Sequence, residues 1–335
     1  MKNENQKLKA GIFGLGHLGK IHLKILKEIC SERNDIEIIG VYDSDKEKNE
    51  TISKENNFKI NNTADDLIKK INTAIIVTPT STHFDIAERT ISNDINTFIE
   101  KPVTDTTGEA EKLLELSKTK NIKIQIGHIE RFNAAILALD NYNLAPMFIE
   151  THRLAQFNPR GTDVSVIQDL MIHDIDIILN LVKSKVKSID ANGVAIITDK
   201  IDIANARIKF ENGCVANITA SRISLNKMRK MRLFQKSAYI SIDFLQNTSE
   251  VFRLDDGKSD NSNSIALTEF IQGDNKVKIF YEKPPVKEVN SMKYEMNKFI
   301  ESIVNDLEPI VTLEDGLQAL EVANEIVKKI EDDRV

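Results

Sequence analysis

The stretch that most narrows the folds open to this chain is Gly14-Leu15-Gly16-His17-Leu18-Gly19. It follows a short apolar run, Leu8 to Phe13, and precedes a helical stripe of Ile21, Leu23, Ile25, Leu26 and Ile29. The local order is therefore strand, glycine turn, helix. Each glycine has its own duty in such a turn: Gly14 permits the tight bend, Gly16 lets backbone approach a pyrophosphate, and Gly19 lets the helix pack on the strand. Phosphates would then lie at the positive end of the helix.

Alone, that pattern is a weak signal, and its flanks carry the argument. The next apolar run, Ile36 to Tyr42, ends in Asp43, where a dinucleotide fold places the acid that binds ribose hydroxyls. The competing reading of Asp43 is a turn residue opening Asp43-Ser44-Asp45. A carboxylate at this place repels a 2′-phosphate, which favours NAD over NADP, a preference that Lys46 and Lys48 soften.

Two more apolar runs end in polar loops. Thr73 to Val77 leads into Thr78-Pro79-Thr80-Ser81-Thr82-His83, and Asn96 to Ile99 leads into Glu100-Lys101-Pro102. Open α/β sheets bind ligands at the carboxyl ends of their strands, so Thr78, Pro79, His83, Glu100 and Lys101 join the glycine loop as candidate cofactor contacts. The plainer readings are a histidine at a helix N-terminus for His83 and a solvated ion pair for Glu100 and Lys101. A helix over Thr107 to Thr119 and a strand over Ile122 to Ile126 complete a first domain, expected to span residues 1–126.

Beyond Gly127 the pattern changes. Strands are expected over Met147 to Leu154, Val186 to Ile197, Ile203 to Phe210, Cys214 to Ser221, Met228 to Gln235, Ala238 to Phe244, Glu250 to Leu254 and Lys276 to Tyr281, several joined by short turns. Asp255 to Ser264 reads as a hairpin tip. A long helix is expected over Val164 to Val182, and two more, Met292 to Asn305 and Leu313 to Lys329, close the chain. Residues 127–335 are thus expected to form a second domain of mostly antiparallel sheet. A broad sheet with few helices of its own needs cover for its second face, and another copy of the chain would supply it, giving a homodimer or homotetramer.

Within the long helix, Asp169 and His173 are four residues apart and so neighbours on one face. Two readings stand: a satisfied core pair, or an imidazole oriented by a carboxylate for proton transfer. His128, His152 and His173 lack the spacing of a metal trio, so no metal is expected. No G-x-S-x-G elbow is present for a serine nucleophile.

Composition excludes several classes of function. At 335 residues, 41% hydrophobic and 29% charged, the chain has room for two ordinary globular domains. A net charge of −6 provides no global field for nucleic acid or an anionic membrane. No apolar run reaches membrane-spanning length, and Met1 to Lys9 lacks the apolar core of a signal peptide. The two cysteines, Cys30 and Cys214, indicate neither a disulfide framework nor a zinc site, and a cytoplasmic protein with reduced thiols is expected.

Taken together, Gly14 to Gly19, Thr78-Pro79 with His83, Glu100-Lys101-Pro102 and Asp169-Leu170-Met171-Ile172-His173 resemble the Gfo/Idh/MocA family of nicotinamide-dependent oxidoreductases along essentially the whole chain. The resemblance implies an α/β N-terminal Rossmann domain with a parallel sheet and an α+β C-terminal domain with a large, mostly antiparallel open sheet. It further implies that Lys101, Asp169 and His173 meet at the nicotinamide, Lys101 contacting the reacting hydroxyl and His173 accepting or donating the proton.

The chain departs from the commoner family form at this helix, where Val166-Ile167-Gln168 replaces glycines before Asp169 and Met171-Ile172 leads into His173. It is more similar to a subgroup that includes UDP-N-acetylglucosamine 3-dehydrogenases, sharing Gly127-His128-Ile129-Glu130-Arg131-Phe132-Asn133 and Ala220-Ser221-Arg222-Ile223-Ser224. A nucleotide-sugar diphosphate calls for planar cationic forks, and Arg131, Arg153, Arg160 and Arg222 are candidates. The run Lys227, Arg229, Lys230 and Arg232 reads better as solvated surface. The expected activity is oxidation of a sugar ring hydroxyl to a ketone with NAD, the product passing to an aminotransferase. Alternatives are a dehydrogenase of inositol or another polyol, a biliverdin-reductase-like enzyme, or a non-catalytic NAD-binding sensor.

Overall fold

The computed structural model describes residues 7–159, 164–255, 265–272 and 275–332. The chain divides into two compact units, one comprising Met1–Ile129 with Asn290–Leu320 and the other Glu130–Val289 with Glu321–Val335.

The first unit alternates strand and helix: β1 (Leu8–Phe13), α1 (His17–Glu32), β2 (Ile36–Tyr42), α2 (Lys46–Glu55), α3 (Ala64–Ile68), β3 (Thr73–Ile76), α4 (His83–Ser92), β4 (Asn96–Glu100), α5 (Thr107–Ser117) and β5 (Ile124–Gly127). Its five strands are all parallel, in the order β2-β1-β3-β4-β5. Helices cover such a sheet on both faces, which is why its strands read as unbroken apolar runs. Ile12, Phe13, Ile75, Ile76, Phe98 and Ile99 are all fully buried. Reciprocal capping boxes, Thr63 with Asp66 and Thr106 with Glu109, fix where α3 and α5 begin. Strand order reverses between β1 and β3, so the loops that follow these two strands flank the switch point where such sheets take their ligands.

A 3-10 turn, Ile129–Phe132, leads from the first unit into the second, which continues with the short α6 (Ala134–Leu137) and β6 (Phe148–Leu154). The long helix expected from Val164 is interrupted: Ile167–Met171 is a π turn, and the regular α7 runs over Ile172–Val182. The N–H of Val166 bonds to Ile201 O at 2.9 Å, tying the start of this run to the connection between the first two strands that follow α7. These are β7 (Val186–Val194), β8 (Ile203–Phe210), β9 (Val215–Ser221), β10 (Met228–Gln235), β11 (Ala238–Asp243), β12 (Thr248–Asp255), β13 (Ile265–Gln272) and β14 (Asn275–Glu282).

Together with β6 they make a nine-stranded sheet, β13-β14-β12-β11-β10-β6-β9-β8-β7, antiparallel except for the parallel pair β6 and β9. Strand β13 is an addition to the strands expected from sequence. Strand β12 pairs with β14 rather than with β13, and the expected hairpin tip lies, beyond Asp255, outside the described residues. One face of the sheet buries Ile149, Met231, Leu233, Ile240, Ile242 and Val251. The other carries a registered row of rings, Phe148, Phe234, Tyr239, Phe252 and Tyr281, with successive centroids 5.9, 5.0, 5.5 and 5.1 Å apart.

Two helices close the chain, α8 (Ser291–Val304) and α9 (Leu313–Asp332). Met296, Phe299 and Ile300 of α8 pack with Leu23 and Leu26 of α1 and Phe98 of β4, each burial contributing about 1.5–3 kcal/mol. This return of residues 290–320 to the first unit is a crossing that a single boundary at residue 126 does not contain. Among the described residues no helix is long and apolar enough to cross a membrane.

Candidate active site

The glycine loop is built as its sequence requires. Gly14 has φ +93°, and its N–H bonds to Tyr42 O at 2.9 Å. A Cβ on Gly14 would lie 2.4 Å from Val77 O, and one on Gly19 would lie 2.0 Å from Gly14 O, so strand and helix approach too closely for any side chain. Gly16 differs, since a Cβ there would meet nothing within 4 Å. The open space lies at the N-terminus of α1, where Gly16 is the cap, no side-chain cap bond is made among the described residues, and no acid occupies the first turn. Free backbone donors at the positive end of a helix, beside a glycine that leaves room, fit a dinucleotide pyrophosphate.

Asp43 stands beside this loop. Its Oδ2 accepts from Leu15 N at 2.7 Å, its Oδ1 accepts from Asp45 N at 2.9 Å, and Lys48 Nζ is 3.9 Å from Oδ1. The carboxylate is fixed at the tip of β2 with lone pairs left over, as binding a ribose diol requires. Across the switch point, Thr78 Oγ1 is buried and has no hydrogen-bond partner among the described residues, which suits a donor awaiting a cofactor group. The glycine loop, Asp43 and the Thr78-Pro79 loop therefore fit NAD.

His83 and Glu100 do not face ligand as expected. His83 is 1% exposed, and its Nδ1 and Nε2 each lie 2.9 Å from a carbonyl oxygen, Pro102 O and Thr78 O respectively. Both nitrogens face backbone carbonyls, the neutral ring donating to one of the two, so its work is to hold the loop after β3 against the loop after β4. Burial pushes its pKa below the usual imidazole range, against the pull of the two carbonyls. The Glu100 carboxylate likewise turns inward: Oε1 is 2.7 Å from His22 Nε2 on α1, and Oε2 accepts from Lys101 N at 3.2 Å. Sequence reasoning passed over His22, whose signal was a polar residue on the apolar face of α1, three positions after Gly19. Lys101 follows directly at the end of β4, half-buried, with a cis bond to Pro102.

In the second unit, Asp169 lies on the π turn and His173 in the first turn of α7, both half-buried, while Ile167, Met171, Ile172 and Ile175 on the same run are fully buried. π turns recur at functional sites. The carboxylates that follow His173 are fastened by arginines. Asp174 accepts from Arg153 Nε and Nη2 at 2.9 and 2.8 Å, and Arg153 Nη1 reaches Glu130 at 2.8 Å. Asp176 accepts from Arg131 Nε and Nη2 at 2.8 and 2.6 Å.

These bonds correct the roles expected of the arginines. Arg131 is 7% and Arg222 4% exposed, and both guanidinium groups are engaged internally, that of Arg131 on Asp176 and that of Arg222 on Asp202, Val164 O and Thr198 Oγ1. Arg222 Nε donates to Asp202 at 2.8 Å and Nη1 to Val164 O at 2.7 Å. Asp202 also accepts from Ile196, Ile197 and Thr198 N–H groups, and although desolvation works the other way, these donors and Arg222 hold its carboxyl well below the usual range. Both arginines thus hold loops and helices together. Arg160 lies outside the described residues. Within the basic run, Lys230 pairs with Asp243 and Arg232 with Glu150 at 3.4 and 3.0 Å, in keeping with a polar surface.

Comparison with known proteins agrees with this geometry. Residues 8–128 match the family described as "Oxidoreductase family, NAD-binding Rossmann fold", and residues 125–240 match the "GFO/IDH/MocA C-terminal domain". UDP-N-acetylglucosamine 3-dehydrogenase of Acidithiobacillus ferrooxidans is 38% identical over 246 residues, 73% of this chain and 77% of the relative. The scyllo-inositol 2-dehydrogenase (NAD(+)) of Bacillus subtilis is 26% identical over 65% of this chain and 68% of its own length. A solved structure of the Acidithiobacillus enzyme superposes with TM-score 0.85 and 31% identity, covering 98% of this chain and 99% of that one. With a glycine loop and acid that fit NAD and a second unit of the matching type, the chain belongs to the GFO/IDH/MocA family of NAD-binding oxidoreductases.

Proposed function

We propose that the chain oxidises the ring 3-hydroxyl of UDP-N-acetylglucosamine, or of a closely similar nucleotide sugar, to a ketone. The observation that carries this is its likeness, along nearly the whole chain, to the Acidithiobacillus 3-dehydrogenase. The chemistry NAD supplies when bound is acceptance of the hydride that leaves the carbinol carbon. The glycine loop and the first turn of α1 hold the pyrophosphate, and Asp43 the adenosine ribose. His173 takes the hydroxyl proton as the C–H bond breaks and the C=O bond forms. Lys101 donates a hydrogen bond to the same oxygen and steadies the charge that develops there. Asp169 orients the imidazole. Lys101 belongs to the first unit and the other two to the second, so their meeting is part of the proposal. Arg131 and Arg222 are left in the structural roles described above.

The test is NADH formation from NAD⁺ and UDP-N-acetylglucosamine, with glutamate and an aminotransferase consuming the keto-sugar. Turnover of UDP-N-acetylglucosamine, lost in Lys101→Met and His173→Ala variants that still bind NAD, is the expected result. Faster turnover of inositols or free hexoses would move the substrate to the polyol class. No turnover of any hydroxyl substrate beside tight NAD binding would make the chain a sensor. An aminotransferase is the class of enzyme that would take the keto product, and the two free thiols, Cys30 and Cys214, suit a cytoplasmic setting.

A second copy of the chain is proposed to cover the ring-bearing face of the large sheet. Five aromatic side chains in register across β6, β10, β11, β12 and β14 form an apolar strip of the kind that subunit interfaces bury. Light scattering should give a multimer for the wild type and a smaller species for Phe234→Lys. A wild-type monomer at micromolar concentration would overturn this.

A further inference from the structure

We infer that His22 is a positioning residue for Lys101, acting through the carboxylate of Glu100. The inference rests on the reading of Lys101 as the residue that binds the reacting oxygen. Glu100 is 8% exposed and His22 1%, and a carboxylate this deep needs partners to stay charged or even to stay put. The structure gives it a seat with three sides. His22 Nε2 is 2.7 Å from Oε1. Gly127, opposite Glu100 in the parallel register of β4 and β5, leaves the space the carboxylate fills, since a Cβ there would lie 2.9 Å from Oε2 and 3.0 Å from Cδ. The remaining contact is Lys101 N, which donates to Oε2 at 3.2 Å.

The ring of His22 is itself fixed. It leans on Phe98, centroids 5.6 Å apart, and its Nδ1 is buried with no partner among the described residues. A proton on Nδ1 would be stranded, so the tautomer that satisfies the network carries it on Nε2 and donates to Glu100. One buried imidazole thereby sets the rotamer of Glu100, and the other oxygen of Glu100 sets the backbone from which the Lys101 side chain departs. His22 lies on α1, six residues after the pyrophosphate-facing Gly16, so the element that holds the cofactor also fixes the residue that meets the substrate.

The first measurement needs no substrate. Amide hydrogen exchange over residues 99–103 should quicken in His22→Leu and in Gly127→Ala, with the rest of the parallel sheet exchanging at wild-type rates. His22→Gln, which keeps a donor near the Nε2 position, should restore protection. Should His22→Leu fail to fold with Glu100 stranded, the pair His22→Leu with Glu100→Met leaves no unpaired charge and should show the same local quickening. Unchanged exchange in the folded variants overturns the inference.

The second is a double-mutant cycle in turnover. His22→Leu should lower kcat on the order of 10²-fold, as expected when a catalytic group is misplaced by about 1 Å, with NAD affinity unchanged. The same change in a Lys101→Met background should have less than about a twofold effect, because the residue being positioned is gone. Equal losses in both backgrounds would mean that His22 acts on something other than Lys101. Wild-type turnover by Lys101→Met alone would instead sink the reading of Lys101, while the exchange result would still stand.

Discussion

The backbone N–H of Leu15 donates to the Asp43 carboxylate at 2.7 Å, so the acid at the tip of β2 is fastened to the glycine loop it serves. Both the position and the charge of Asp43 then bear on cofactor choice. Replacing Asp43 by Ser removes a charged hydrogen-bond acceptor worth about 1.5–3 kcal/mol, and NAD should bind roughly 10- to 100-fold more weakly. NADP should gain relative to NAD, because the repulsion of a 2′-phosphate is relieved while Lys48 remains. Fluorescence titration with both cofactors measures this, and an unchanged NAD to NADP ratio would count against the ribose assignment.

Two glycines of the same loop should respond oppositely to alanine. Gly16 has φ −64° and ψ −166°, open to any residue, and empty space around its missing Cβ. Gly16→Ala should therefore leave the melting temperature unchanged or slightly raised, while the methyl fills the pyrophosphate site and weakens NAD at least about tenfold through lost backbone bonds to a charged group. In Gly19→Ala the methyl would sit 2.0 Å from Gly14 O, and stability should fall by about 3 kcal/mol or more. Calorimetry with and without NAD separates the two effects. Tight NAD binding by Gly16→Ala would place the pyrophosphate elsewhere.

What could be read from sequence follows from where each signal is stored. The parallel strands, the glycine turn and the placement of Lys101 depend on residues close together in the chain, and these were legible. His22 was not, because its partner Glu100 is 78 positions away and only the folded sheet brings α1 to the end of β4. The arginines illustrate the same limit. Residue type shows that Arg131 and Arg222 can grip a phosphate, but Asp176 and Asp202 grip them first, and no local spacing records those pairs. The π turn escaped too, since one extra residue per turn barely disturbs an apolar stripe. Strand β13 left little signal because its Ile265 and Leu267 point outward, 63% and 53% exposed.

The buried arginine network behind His173 supplies a stability prediction. Arg153 is 2% exposed and serves Asp174 and Glu130 together. Arg153→Met would strand the buried Asp174 and leave Glu130 only its longer bonds from Arg229 and Asn133, each 3.3 Å, and unfolding stability should fall by about 3–5 kcal/mol. The exposed pair Lys118 and Glu115 at the C-terminal end of α5, 62% and 74% accessible, gains little from its contact because water screens it, so Lys118→Ala should melt like the wild type. Denaturant titration of both variants tests the contrast, and a mild Arg153→Met would mean that the network relaxes more than its geometry suggests.

His83 makes stability depend on pH in a definite direction. Its pKa is lowered in the folded chain, chiefly by burial, with the Pro102 and Thr78 carbonyls opposing the shift. Below the unfolded imidazole pKa of about 6.5 the unfolded chain binds a proton that the folded chain refuses. The contribution of His83 to stability is therefore fully present above that pH and is lost as pH falls toward the folded pKa, with a slope of at most about 1.4 kcal/mol per pH unit for one proton. His83→Asn cannot titrate. The wild type should thus lose more stability than the variant between pH 6.5 and pH 5, measured by urea unfolding at fixed ionic strength, while the two run parallel from pH 7 to pH 8. A wild-type curve that stays parallel to the variant's through the acid range would show that the two carbonyls, each 2.9 Å from a ring nitrogen, outweigh burial and let the folded ring take its proton as readily as the unfolded one.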